Sequence, residues 1–375
     1  MSLISMRRHA CPVAMFNLVC FLALLLPPQI ARADPADALA PISDGTGGPR
    51  ALAGPLPTST VPEAMATVNL STGAARASYP FVLPRARGQA QPALFLEYDS
   101  SRGTGFAGEG WSLGLPSIVR KGASAQPAWD NPALGIFNKV FFDDFYIDGK
   151  LLVPICQVSG GSCVLGSPQA GEVFPGTIPG GFSQTSLDGW LYLRREIDDG
   201  NRYFLSPDSR TFVCQTKAGT ILQFGHPLDA KTADGLEIPR DTPTDPSGAP
   251  YRWNLVRNID ASGNAVWFVW DTLQSKLPSG ASNPGIQYLT DIYDTPSDTV
   301  IFQFFAHHVR LTWELSDPEG PSALDAPVWH APPFARLKTV DVTSSTMGSI
   351  VSSVPRQLVR RYDLEYSRNI ANTHS

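Results

Sequence analysis

Residues 189–225, GWLYLRREIDDGNRYFLSPDSRTFVCQTKAGTILQFG, decide the fold class of this 375-residue chain. Two strand-like runs, 189–197 and 202–205, flank an Asp-Asp-Gly-Asn turn, and a turn of that kind between apolar runs predicts a β-hairpin. The runs 211–216 and 220–224 flank a Lys-Ala-Gly turn and predict a second hairpin. This stretch therefore indicates consecutive antiparallel strands.

The same pattern continues on both sides of that stretch. Strand-like runs recur at 75–83, 92–99, 251–256, 265–270, 301–305, 309–315 and 361–366. In 92–99, apolar residues alternate with small or polar ones, as in a half-buried strand. The 32 glycines, 34 prolines and 17% charged residues also favour short strands and turns over long helices. We predict a mainly β fold of many short antiparallel strands, with few or no long helices.

The N-terminus predicts export. Basic residues at 7–9 precede an apolar run at 13–26, then Pro27-Pro28 and the triplet Ala31-Arg32-Ala33, the layout of a signal peptide cleaved after residue 33. The apolar run is shorter than the roughly 20 residues that span a bilayer, although an uncleaved anchor is the alternative. We expect a secreted, extracellular protein that passes through the periplasm and keeps no membrane span after cleavage. Translation starts at Met1 or Met6.

Composition narrows the ligands and partners. Residues 34–60 are mostly Pro, Gly, Ala and Ser. Because such a segment has few large apolar side chains to bury, it predicts a flexible leader. The net charge of −5 is unclustered, and without a basic stripe the chain is expected to bind no nucleic acid. No motif indicates a cofactor.

Three cysteines remain after signal cleavage. Cys156 and Cys163 flank a Gly-Ser turn, and in an oxidising compartment they predict a disulfide, whose loop closure would contribute about 2.5 kcal/mol. Cys214, inside an apolar run, is predicted to be a buried free thiol. No Cys-x-x-Cys is present and the six histidines are scattered, so no metal site is expected.

One motif resembles a catalytic site. Gly110-Trp-Ser112-Leu-Gly114 satisfies G-x-S-x-G, which in α/β-hydrolases places the serine on a turn between a strand and a helix. Here a glycine-rich loop precedes the motif, and the run after Pro116 is too short for the helix. We therefore favour a structural role, with a serine hydrolase that uses Ser112 as the alternative.

Two further groups of polar residues could suggest a ligand site. Asp260, Ser262 and Asn264 resemble the start of a calcium loop but lack the distal glutamate, which favours a hairpin turn. His307 and His308 are adjacent in a strand-like run, so their side chains should point to opposite faces and not share a ligand.

Acidic and aromatic residues have similarly simple interpretations. Asp143, Asp144 and Asp148 favour a strand that ends in an Asp-Gly turn over an acidic binding cluster. The eight tryptophans are scattered singly through strands, as core residues are, although a sugar-binding face is the alternative.

A resemblance to a known family rests on residues 103–120, GTGFAGEGWSLGLPSIVR, with flanking runs at 71–84 and 91–101. This sequence resembles the N-terminal domain of the Salmonella plasmid virulence protein SpvB family, shared with the B components (TcaC/TcdB-like) of insecticidal Tc toxin complexes and with Rhs-type shells. Weaker matches follow in family order at 148–155, 216–225, 253–264 and 359–366.

The resemblance implies a large β-rich, shell-type module over residues 61–367, followed by a polar C-terminal stub at 368–375. In that family the domain is part of a hollow shell or the partner of a separate toxic domain, and some members also act in the host cytoplasm. It has no catalytic residues to transfer, and this chain has no Glu-x-Glu pair that an ADP-ribosyltransferase would need. The implied partners are downstream Rhs, toxin or propeller components, and also host-surface receptors.

The expected site residues form a structural signature, in which glycines permit positive φ or close approach and apolar side chains anchor the loop. The set comprises Gly103, Gly105, Gly108, Gly110, Trp111, Leu113, Gly114, Pro116 and Arg120. The sequence therefore predicts a non-catalytic structural, encapsulation or delivery module of a secreted bacterial toxin or virulence factor. The alternatives are the Ser112 hydrolase and a stand-alone surface module that binds carbohydrate or protein.

Overall fold

The structure is a computed structural model that describes part of the chain. The described residues are 4–8, 65–70, 72–122, 143–159, 162–165, 177–178, 182–183, 190–238, 250–279, 283, 285–295, 305–316, 333–345 and 356–366. The predicted leader at 34–60, most of the predicted signal peptide and the predicted stub at 368–375 lie outside these residues.

The described residues are almost entirely β-strands joined by turns, which confirms the predicted fold class. The strands, in chain order, are β1 (Ile4–Arg8), β2 (Met65–Val68), β3 (Ala75–Pro80), β4 (Phe95–Asp99), β5 (Thr104–Gly105), β6 (Gly108–Glu109), β7 (Trp111–Leu113), β8 (Ser117–Gly122), β9 (Asp143–Ile147), β10 (Lys150–Pro154), β11 (Cys156–Ser159), β12 (Ser162–Leu165), β13 (Thr177–Ile178), β14 (Phe182–Ser183), β15 (Leu191–Arg195), β16 (Arg202–Leu205), β17 (Thr211–Gln215), β18 (Ile221–Gly225), β19 (Leu236–Glu237), β20 (Arg252–Ile259), β21 (Ala265–Asp271), β22 (Tyr288–Asp294), β23 (His307–Leu315), β24 (Ala335–Ser344) and β25 (Gln357–Tyr366). The one helical element among the described residues is a 3₁₀ turn at Gln274–Lys276.

The stretch that predicted the fold forms both predicted hairpins. β15 pairs with β16, and β17 pairs with β18, each in antiparallel register. The predicted Asp-Gly turn is also present between β9 and β10, where Asp148 and Gly149 both have positive φ, the conformation of a type I′ hairpin turn. Of the predicted strand at 301–305, only Phe305 lies within the described residues.

Eight antiparallel strands close into a barrel. Their order is β8-β9-β10-β15-β16-β17-β18-β20, and the pairing of β20 with β8 closes the ring. Phe145, Phe212 and Trp253 come from non-adjacent strands, yet their ring centroids lie 5.0–5.7 Å apart. Because rings from different sides of the barrel meet, its interior is filled with side chains.

The sheet continues beyond the barrel. One edge of β20 pairs with β8 through residues 252–254 and with β21 through residues 257–259, and the sheet then runs through β22, β23, β24 and β25 to β1. One face is apolar and buried. On the other face, Asp291, Arg310, Asp341 and Arg361 are successive cross-strand partners, a row of alternating charge typical of a solvated sheet face.

A four-stranded sheet, β2-β3-β4-β7, packs on the apolar face of this extension. The rings of Tyr79 and Phe81 contact Tyr362 edge-to-face, at 6.5 and 5.0 Å between centroids. The Tyr362 hydroxyl accepts a 2.9 Å hydrogen bond from the main-chain N–H of Val82. The two sheets therefore share one core.

A buried charge lies on the outer face of the barrel. Arg257 is fully buried in β20, with its guanidinium 3.9 Å from the ring centroid of Trp267 and 3.0 Å from an oxygen of Asp229. Burial lowers the pKa of Arg257 to about 10. The loop that carries Asp229 is thus tied to the barrel wall through a charged contact shielded from water.

Candidate functional site

Residues 103–120, which we call the clasp, join the two sheets. After β4, the short strands β5 and β6 form a small hairpin, and β7 then returns to pair with β4. Pro116 lies in the connection that leads from β7 into β8, the first barrel strand. The clasp therefore passes from the four-stranded sheet into the barrel.

The clasp is packed too closely for side chains at several of its glycines. A Cβ on Gly105 would lie 2.0 Å from the carbonyl oxygen of Trp111. Gly110 has φ +76°, and a Cβ there would lie 2.5 Å from the ring of Tyr98. Both positions need glycine, because a side chain would collide with its neighbours or adopt an unfavourable φ.

Gly114 is packed as closely as these two glycines, whereas Gly108 and Gly103 have more room. Gly108 has φ +101°, and a Cβ on Gly114 would lie 2.0 Å from the ring of Phe95. Gly103 has open space around it, with no atom within 4 Å of the point that a Cβ would occupy. Its place in the sequence pattern therefore has no steric explanation in this structure.

Phe106, at the tip of the clasp, is the contact that sequence reasoning missed. Its ring packs edge-to-face on Tyr288 at 5.3 Å and on Trp313 at 5.6 Å. Its carbonyl oxygen accepts a 2.8 Å hydrogen bond from the main-chain N–H of Leu337 in β24. The available signal was a single aromatic residue between two Gly-containing pairs, Thr104-Gly105 and Ala107-Gly108.

The predicted anchors other than the glycines lie nearer the base of the clasp. Trp111 is partly buried and its ring lies 5.2 Å from that of Tyr98, while Leu113 is partly buried against the main core. Arg120 is buried, and its main-chain N–H donates to the carbonyl of Tyr251 across 2.9 Å. Trp111 thus supports the base of the clasp, and Arg120 lies where the clasp enters the barrel.

Ser112 lies in the middle of β7, directly opposite Glu97 of β4. Its hydroxyl oxygen accepts a 2.6 Å hydrogen bond from Nη1 of Arg102, which also lies 3.6 Å from the Glu97 carboxylate. The turn between a strand and a helix that a nucleophile elbow requires is not present at this position. A guanidinium also cannot remove the proton of a serine hydroxyl.

Asp99, just before the clasp, is held as a carboxylate. Hydrogen bonds from the hydroxyl and the main-chain N–H of Ser101, at 2.5 and 3.0 Å, together with Arg76, lower its pKa. The main-chain N–H of Asp99 donates to the carbonyl of Gly110. The two ends of the β5–β6 hairpin are therefore fastened together.

A small cavity lies beneath the clasp. Its volume is about 30 Å³ and it is lined by Phe106, Leu113, Leu115, Arg252, Asn254, Trp270, Leu289 and Trp313. A space of this size holds about one water molecule. The cavity is a packing gap between the sheets and is too small for a metabolite.

The predicted polar turn at Asp260 is a junction. Both carboxylate oxygens accept N–H donors, from Ser262 and Asn264 within the β20–β21 turn and from Gln89 in the distant loop after β3. Because its oxygens already accept these hydrogen bonds, the carboxylate serves as a structural staple in this conformation. Within the described ranges, no cluster of His, Cys, Asp or Glu could hold a metal ion.

The two adjacent histidines separate as predicted. His307 contacts Asp294 at 2.6 Å, whereas His308 contacts Asp291 at 2.7 Å and stacks on Tyr293. Of the tryptophans in the described part of the chain, all but Trp111 are buried. These described tryptophans therefore form no aromatic face for a sugar.

The cysteines are placed only in part. Cys214 is buried and free, and burial raises its pKa to about 12. Cys156 and Cys163 lie in the β11–β12 hairpin, where their register partners are Leu165 and Val158. The side chains of Cys156 and Cys163 lie outside the described residues, so their disulfide stays a prediction.

Comparison with known proteins confirms the resemblance. Residues 69–161, which include the clasp, match the family SpvB, the Salmonella virulence plasmid 65kDa B protein. A comparison with curated protein sequences finds no match. No helix in the described part is both long and apolar enough to cross a membrane.

Two solved structures share the fold. The crystal structure of TcdB2-TccC3 matches with a TM-score of 0.53 and 14% identity over 82% of this chain. The crystal structure of TcdB2-TccC3-TEV matches with a TM-score of 0.52 and 15% identity over 84% of this chain. This chain spans only 16% and 15% of those two chains. A further match is the N-terminal domain of effector protein SpvB from Salmonella typhimurium strain LT2. Its TM-score is 0.48 and its sequence identity is 15%, and the match covers 77% of this chain and 97% of that domain.

Proposed function

We propose that this chain is a non-catalytic structural module of a secreted bacterial toxin or virulence factor, which encapsulates or helps to deliver a toxic partner. The proposed layout is a signal peptide at 1–33, a leader at 34–60, an SpvB-like β domain at 61–367 and a polar stub at 368–375. Its proposed partners are Rhs, toxin or propeller components of the same system, with host-surface receptors as a further class.

The observation that carries the proposal is the position of Phe106. The segment that carries the family resemblance uses its tip to bridge two sheets, through the Tyr288 and Trp313 rings and the Leu337 amide. The glycines at 105 and 110 allow that close packing. The most distinctive sequence in the chain is therefore used for architecture, which supports a structural role.

The two alternative functions have less support. Ser112 is paired inside a strand and its hydroxyl accepts a hydrogen bond from Arg102, which does not favour a hydrolase. The burial of most described tryptophans does not favour a carbohydrate-binding face.

Co-expression with a neighbouring gene product tests the proposal. The genes on either side are searched for an Rhs-type or toxin polypeptide, the tagged full chain is produced with it, and the mass of the purified material is measured by light scattering after gel filtration. We expect one species whose mass is the sum of the two chains. The control is the same tagged chain with an unrelated Rhs polypeptide. Two separate species with the native neighbour would contradict the proposal.

A further inference from the structure

The last strand of the large sheet presents an edge that is only half covered by the described residues. One edge of β25 pairs with β24, but the other pairs with β1 only through residues 362–366. In the other half of the strand, Leu358 and Val359 are 38% and 56% exposed. A long edge strand with free main-chain groups and exposed apolar side chains is a template for another strand.

The segment that occupies this edge shows what the edge accepts. In the antiparallel register, Ile4 and Met6 stand opposite Tyr366 and Leu364. Ser5 and Arg7 stand opposite Glu365 and Asp363. Opposite charges at cross-strand positions favour pairing. The pattern that fits is therefore an extended strand with apolar residues at alternate positions and a basic residue opposite Asp363.

β1 lies within residues 1–33, the predicted signal peptide. Cleavage after Ala33 would remove β1 and uncover the edge of β25 along its whole length, from Gln357 to Tyr366. A sheet that ends in ten residues of uncovered strand needs either a protective device or a partner. Within β25 there is no proline, and the register shift that leaves Val359 without a partner in β24 lies in the half of the strand that β1 does not cover. Residues 362–366 therefore have neither a proline nor a bulge to protect their edge.

We propose that the free edge of β25 is a docking site for an antiparallel strand of a partner polypeptide, apolar at alternate positions and basic opposite Asp363. In this proposal β1 occupies the edge until cleavage after Ala33 removes β1. The inference goes beyond the proposed function, because strand acceptance at β25 does not depend on which assembly the chain serves.

Hydrogen exchange on the full chain tests the docking edge. Met6→Pro should displace β1, because proline has no N–H for the ladder and is poorly tolerated in a paired strand. We expect the amides within residues 362–366 that face β1 to exchange at least about tenfold faster in this variant, with no change in β23. The synthetic peptide of residues 2–10, SLISMRRHA, added in excess, should restore their protection.

Peptide controls make the test specific. The same peptide with Met6→Pro should restore nothing. Asp363→Lys in the Met6→Pro chain should weaken binding of the native peptide roughly two- to fivefold, and a peptide carrying Arg7→Asp should recover that loss.

Two results would overturn the docking proposal. One is unchanged exchange at 362–366 in the Met6→Pro chain. The other is a Met6→Pro chain that dimerises through β25 and ignores the peptide, which would make a second copy the occupant. Neither readout involves the Rhs or toxin partner, so failure of the co-expression test would leave this result unaffected.

Discussion

The main-chain N–H of Leu337 donates a 2.8 Å hydrogen bond to the carbonyl oxygen of Phe106. This bond joins the tip of the clasp, near the N-terminal end of the folded region, to β24 near its C-terminal end. The Phe106 ring packs beside the bond on Tyr288 and Trp313. The clasp is therefore a long-range link that depends on the folded state of both sheets.

Phe106→Ala should lower the free energy of unfolding by about 3 kcal/mol, because it removes a large aromatic that contacts two other rings and leaves a cavity. Both side chains are partly buried, but the Trp111 ring contacts one ring, that of Tyr98, whereas the Phe106 ring contacts two, so Trp111→Ala should cost less, about 1–2 kcal/mol. Urea unfolding followed by tryptophan fluorescence for Phe106→Ala, and by circular dichroism for both variants, measures these values. Ile197→Ala, at a side chain that is 85% exposed, is the control. A cost at Phe106 no larger than at Ile197 would contradict the link.

Two glycines in the same loop provide a matched pair. Gly105→Ala should destabilise by about 2 kcal/mol or more, because its Cβ would lie 2.0 Å from the carbonyl oxygen of Trp111 and main chain would have to move. Gly103→Ala has nothing within 4 Å of the new atom and should change stability by less than about 1 kcal/mol. Thermal unfolding of both variants checks the difference, and equal melting temperatures would count against the close packing.

The free energy of unfolding should fall in acid, because Asp260 becomes protonated there. Burial raises the pKa of its carboxyl, but hydrogen bonds from Asn264, Gln89 and Ser262 together outweigh that effect, so the pKa is lowered. A carboxyl with a lowered pKa stabilises the fold above its unfolded pKa of about 3.9, and this stability is lost as pH falls through the lower, folded value.

The variant Asp260→Asn isolates that contribution. At pH 7 it should be less stable than the wild type by about 2 kcal/mol, because buried N–H donors lose acceptors, and the gap should narrow towards about pH 3. Urea unfolding across this pH range measures the gap, with the exposed Glu109→Gln as the control. A gap that is independent of pH would show that the charge of Asp260 is not involved.

The mature, exported protein should contain one free thiol, at Cys214, and a bridge between Cys156 and Cys163. The hairpin register sets these two cysteines at diagonal positions, two residues apart along the ladder. Alkylation without reduction, followed by mass mapping, counts the free thiols. Three alkylated cysteines would contradict both the bridge and an oxidising compartment.

Local patterns explain which parts of the fold were predictable. The β15–β18 hairpins and the Asp148-Gly149 turn follow from alternating apolar residues and turn residues within a few positions of one another. The barrel closure pairs residues 117–119 with 252–254, and no local pattern specifies that contact. Arg257 and Asp229 likewise meet only in the folded chain. The clasp was identified from its glycines, but its main contact, Phe106, was missed because its partners lie far along the sequence.

Labelling of Ser112 in the folded, exported protein distinguishes a clasp that serves as architecture from one that forms an active site. A fluorophosphonate probe is incubated with the native chain and with Ser112→Ala, and the labelled residue is mapped by mass spectrometry. We expect no labelling at Ser112, and a change in unfolding free energy of about 1 kcal/mol for the variant, as for a lost hydroxyl hydrogen bond. Stoichiometric labelling at Ser112 that the variant abolishes would contradict the architectural role.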